Sequence, residues 1–122
     1  MKLHLTQAPG SKLITGCGEG WVEVNDQRHT TSIIVLPALL VTDWHAVDFD
    51  ALQPAHFERL AELAPELVLL GTGATHRFVH PSLGRALIDA GIALECMSTP
   101  AACRTYNILL AEGRRVAAAL IL

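Results

Sequence analysis

Residues 116–122 read VAAALIL, seven consecutive apolar residues with no polar alternation. A strand with one face in water alternates apolar and polar side chains; this run does not, so both of its faces must be covered. It is too short for a bilayer-spanning helix, which needs about 20 apolar residues. The reading is a central strand of a sheet with helices on both sides, which makes the chain an α/β domain.

The preceding sequence supplies those layers. Pro54–Leu63 is expected to be a helix, with Phe57, Leu60, Ala61 and Ala64 at helical spacing, Pro54 in its first turn and Pro65 beyond its end. Leu67–Leu70 reads as a buried strand, Pro81–Ala90 as a short helix closed by Gly91, and Ile92–Cys96 as a strand. Pro100–Glu112 reads as a helix with Thr99 as N-cap and Gly113 past its end. Strand, helix, strand from Leu67 to Cys96 implies a crossover between parallel neighbours. Upstream, Lys12–Thr15 and Trp21–Val24 flank the turn GCGEG, and NDQR makes a second turn. TTSIIVLP and ALLVTDW, broken by Pro37, extend this into a β-hairpin meander. Nothing divides the chain, so residues 1–122 form one domain, and an apolar share of 51% is enough for one core.

Composition narrows function by exclusion. The net charge is −3 and the cations are scattered singly, which disfavours nucleic-acid binding. The three cysteines are odd in number and show no Cys-x-x-Cys pair, so reduced thiols and a cytoplasmic location are expected. The opening MKLHLTQAPG lacks the apolar core of a signal peptide and the Arg/Ser-rich character of a transit peptide.

The stretch ELVLLGTGATHRF raises the question of a phosphate loop. A dinucleotide fingerprint needs a glycine where this chain has His76, and a helix starting within the loop. Here helical signals resume only at Pro81, and no Gly-Lys-Ser/Thr follows. The better candidate for an anion site lies at the second loop. If the two middle strands are parallel, Gly71, Thr72, Gly73, His76 and Arg77 would face Ser98, Thr99 and Arg104 across a crevice. The free N–H groups of Ala101 and Ala102 would add a helix N-terminus. The plainer reading makes Ser98 and Thr99 a helix cap.

Other chemistry is sparse. His76 and His80 sit in a loop and His4, His29, His45 and His56 are dispersed, so no metal and no cofactor is expected. Cys103 falls in the first turn of the last helix, where a dipole lowers a thiol pKa, but a buried small hydrophobe is the simpler reading. No catalytic residue is assigned, and the balance leans away from an enzyme. Trp44, Tyr106, Asn107, Glu112 and Arg114 form a candidate interaction face. Asn107, a poor mid-helix residue, either bonds a neighbouring loop or marks that surface. Trp44 is a contact residue or closes one end of the core.

MSTPAACRTYNILLAEGRRVAAAL, with LVLLGTG before it and LLVTDW further upstream, resembles a domain-of-unknown-function family of bacteria, archaea and mitochondria. That family includes factor three for assembly of respiratory complex I, the NADH:ubiquinone oxidoreductase, and an adipogenesis-associated relative. The resemblance rests most on Met97, Thr99, Ala102, Arg104, Thr105, Tyr106, Asn107, Leu110, Glu112, Gly113 and Arg114. It implies a three-layer α/β arrangement, with a central mixed sheet and an N-terminal hairpin region. It also implies a last strand in mid-sheet, antiparallel to its neighbours. It carries over no catalytic residue. It implies a protein partner, against the alternative of a small anionic ligand in the crevice.

Overall fold

The computed structural model describes residues 10–122. The reading of the first residues as free of a targeting segment, and His4, lie outside the described residues. In chain order the elements are β1 (Ile14–Gly18), β2 (Trp21–Val24), β3 (Gln27–His29), β4 (Ile33–Leu36), β5 (Leu39–Val41), α1 (Pro54–Glu62), β6 (Leu67–Gly71), α2 (Arg85–Asp89), β7 (Ala93–Met97), α3 (Thr99–Ala111) and β8 (Val116–Leu120). A short 3₁₀ turn over Phe49–Ala51 leads into α1.

β8 occupies the middle of a five-stranded mixed sheet of order β5-β4-β8-β6-β7, as its unbroken apolar run requires. All five of its residues are fully buried. Alternation then sorts its side chains. Val116, Ala118 and Leu120 join Leu67, Leu69, Ile33 and Val35 under α3. Ala117, Ala119 and Ile121 join Val68, Leu70 and Ile34 under α1 and α2, with Phe57, Leu60 and Leu87. The result is three layers, with the sheet in the middle.

Direction departs from the expectation in one respect. β8 is antiparallel to β4 but parallel to β6. A helical crossover brings the chain back in the direction in which it left. Because α3 joins β7 to β8, both strands run with β6.

Three boundaries move. The N-terminal meander is split: β1-β2-β3 is a separate antiparallel sheet, and only β4 and β5 join the central one. Its first turn tightens to Glu19–Gly20, and its second is the Asn25–Asp26 pair at positive φ, the conformation a two-residue hairpin turn demands. The helix expected from Pro81 begins only at Arg85. Ser82 instead donates its hydroxyl and its amide to His80 Nδ1, at 2.8 and 3.1 Å, and these local bonds hold a turn in place of a helical one. The last helix starts one residue early, with Ser98, not Thr99, as its N-cap.

If β8 holds the two halves of the sheet together, deleting residues 116–122 will abolish the cooperative thermal transition followed by far-UV circular dichroism. A sigmoidal melt surviving in the truncated chain would contradict its central place.

Candidate functional site: the rim where β6 and β7 end

β6 and β7 run side by side and finish at the same rim, where the two following segments meet. Gly71 closes β6 under α3. A Cβ there would stand 2.9 Å from Thr99 Oγ1 and 3.0 Å from Thr99 Cα, so only glycine lets the helix come this close. Across the contact, Thr99 Oγ1 donates to Ile121 O at 2.6 Å and accepts from Gly73 N at 2.9 Å. The backbone adds Thr99 N to Gly73 O at 2.8 Å, Ile121 N to Gly71 O at 3.0 Å and Thr72 N to Met97 O at 2.8 Å. Thr72 Oγ1 lies 2.6 Å from Thr75 O and accepts from Arg77 N at 3.1 Å.

Thr72 and Thr99, two of the three hydroxyls expected to meet a ligand, are 4% and 7% exposed and already engaged by backbone groups. The amides of Ala101 and Ala102, expected to be free, are taken by Ser98 Oγ at 3.4 Å and Ser98 O at 2.9 Å. Arg77 pairs with Asp50 at 2.8 Å and lies 4.2 Å over the Phe49 ring. His76 packs on Phe78, with ring centroids 4.4 Å apart. Of the expected crevice residues, Gly73, Thr99 and Arg104 line a cavity of about 410 Å³; Gly71, Thr72, His76, Arg77 and Ser98 do not. The opposite wall is the β1–β2 turn, through Cys17, Gly18 and Gly20. Arg104 is exposed and makes no ion pair among the described residues.

That opposite wall was not foreseen, because what places it is a long-range clamp. Asn107 accepts from Ile14 N at 3.0 Å and donates to Ile14 O at 2.7 Å, so its amide pairs with β1 as a neighbouring strand would. Tyr106 donates to Lys12 O at 2.7 Å. The mid-helix Asn thus bonds a neighbouring segment, the first of its two readings. Tyr106 is fully buried, and burial raises its phenol pKa.

The rest of the expected interaction face disperses as well. Trp44 is 3% exposed; its indole donates to His56 O at 3.1 Å and meets the His56 ring edge-on. It closes one end of the core and presents no surface. His56 Nδ1 accepts from Gln53 N at 2.9 Å, which caps α1 and leaves Nε2 to donate to His45 O. Glu112 is the exposed C-cap residue of α3, and Arg114 is held by Glu66 at 2.7 Å. Cys103 is buried, the simpler of its two readings, and desolvation, with Cys17 beside it, pushes its thiol pKa up to about 12, so burial outweighs the lowering a helix dipole would give.

Geometry of this kind defines a small mixed α/β domain whose polar rim residues mostly serve the fold. A family described as a protein of unknown function (DUF498/DUF598) matches residues 14–121, and the chain belongs to that family. It is similar to NADH dehydrogenase [ubiquinone] 1 alpha subcomplex assembly factor 3 of Bos taurus, with 36% identity over 100 residues, 80% of this chain and 54% of the relative. The chain therefore spans about half the length of the curated relatives it matches first. A crystal structure of a Bordetella parapertussis protein superposes with a TM-score of 0.87 at 38% identity, covering 93% of this chain and 98% of that one. A solution structure from Bordetella pertussis, described as an Mth938-like domain, gives 0.83 at 33% identity, covering 99% and 92%.

Thr99→Val keeps the shape at the rim but strands Ile121 O and Gly73 N. It is expected to cost roughly 1–3 kcal/mol in urea unfolding. Thr99→Ser keeps the hydroxyl and should cost about 1 kcal/mol or less, for one lost methyl. Equal losses in the two variants would refute a role for the hydrogen bonds.

Proposed function

We propose that this chain is a non-enzymatic, protein-binding module that assists the assembly of a multi-subunit complex. One observation carries the reading: the 36% identity with a protein named as an assembly factor for a respiratory dehydrogenase. The rim geometry supports it, because Thr72, Ser98 and Thr99 spend their polar groups within the fold. A cytoplasmic location belongs to the same proposal. Among the described residues no helix is long and apolar enough to cross a membrane. In affinity capture from native lysate, the tagged domain is expected to retain the same protein at near-stoichiometric amounts in repeated preparations. Recovery of no reproducible partner would count against the module.

A second reading has one observation in its favour. The cavity between Gly73, Thr99 and the β1–β2 turn borders Arg104, whose guanidinium has no ion pair among the described residues. A small phosphate or carboxylate would supply the missing charge. Inorganic phosphate or citrate at a hundredfold excess over Kd should then add about 2.7 kcal/mol to stability, seen as a thermal shift that Arg104→Ala removes. No shift with either anion would dispose of this reading.

A further inference from the structure

β7 has one strand neighbour among the described residues, β6, and its other edge is unpaired. Met97 O accepts from Thr72 N on the β6 side. In a parallel ladder the backbone groups alternate in direction, so those of Ala93 and Glu95 also face β6 while the N–H and C=O of Leu94 and Cys96 face outward. Natural sheets commonly blunt such an edge with Pro, Lys or a covering loop. The β7 sequence ALECM has neither Pro nor Lys, and its single charge is the exposed Glu95.

The two faces of this strand are flanked by separate cavities. One, about 360 Å³, is walled by Val79, Pro81, Leu87, Ile88, Ile92 and Leu94, and Ile88 at its margin is 55% exposed. The other, about 380 Å³, lies over Leu67, Leu69, Met97 and Leu109, and Glu95 and Arg114 border it. Arg114 is already paired with Glu66 at 2.7 Å, whereas Glu95 has no ion pair among the described residues. A strand laid along β7 would project alternate side chains toward the two cavities, as recognition by strand addition requires. Charge selects the occupant. Antiparallel pairing of two copies centred on Glu95 would set carboxylate against carboxylate, which is unfavourable; a cation at that position is favourable.

We propose that the outer edge of β7 accepts an extended segment of a partner protein as an additional strand. Its apolar side chains face the cavity beside Ile88, and a Lys or Arg stands opposite Glu95. The proposal rests on the protein-binding reading above and gives that reading a surface.

The test uses two short fluorescent peptides, one alternating Leu with Lys and the other Leu with Glu, titrated against the whole chain by anisotropy. The Lys peptide is expected to bind at least about tenfold more tightly, a difference of 1.4 kcal/mol. Glu95→Lys, an exposed change whose folding is checked by an unaltered melt, should reverse the preference. Amide exchange at Leu94 and Cys96 should slow in the complex. The proposal fails if the Lys peptide does not bind, if Glu95→Lys leaves the preference unchanged, or if protection appears elsewhere. It also fails if sedimentation shows the chain pairing with itself through β7. Comparing capture by wild type and Glu95→Lys separates the two levels. A partner held equally by both overturns the edge and leaves the module standing, whereas no partner for the wild type overturns the module itself.

Discussion

The close approach of α3 to the end of β6 is the contact on which the rest of the domain depends. It needs a residue without a side chain at 71 and a short hydroxyl at 99. Given both, one oxygen ties three segments together: the loop after β6, the start of α3 and the residue after β8. A hydroxyl with this little exposure is costly to bury unless its donor and acceptor capacities are both met, and here both are. The same contact sets the height of α3 over the sheet. It thereby sets where Tyr106 and Asn107, further along the helix, can reach β1. The second sheet is consequently hung from the first by α3 rather than by strand pairing.

This explains why so much of the rim is occupied by its own backbone. In many open α/β sheets the carboxyl edge is where ligands bind, because the helix N-termini there have unpaired N–H groups. In this domain Ser98 takes the amides of Ala101 and Ala102, and Thr72 takes that of Arg77. Two open features remain: the cavity at the end of the rim, between Gly73, Thr99, Arg104 and the β1–β2 turn, and the outer edge of β7. Protein recognition by backbone pairing and recognition of a small anion by a guanidinium make different demands on the structure, and the two features are separate in sequence and in place.

The sequence made some of this legible and hid the rest. The unbroken apolarity of Val116–Leu122 marked the central strand, because period-two alternation is a local signal that survives without coordinates. The helix boundaries set by Pro54, Pro65 and Gly113 were legible for the same reason. Crossing the rim was harder. Thr99 and Ser98 both suit an N-cap, and only the proximity of Ile121 O and Gly73 N decides which of the two turns inward. Tyr106 read as a surface residue, and Trp44 as either a contact residue or a plug at one end of the core; both are buried, each with a carbonyl within reach of its polar tip. The partner of Asn107 is 93 residues away, so no window of local sequence contains it.

The central position of β8 also bears on how the domain comes into being. β4 and β6 never touch as neighbours in the sheet; each pairs with a strand made after every other element. Without β8, the β4–β5 hairpin and the β6–β7 pair would each leave an apolar strand edge without its partner. Nascent intermediates with exposed strand edges are the species that aggregate or engage chaperones. The five-stranded sheet is therefore complete only once β8, far along the chain from β4, has been set between β4 and β6.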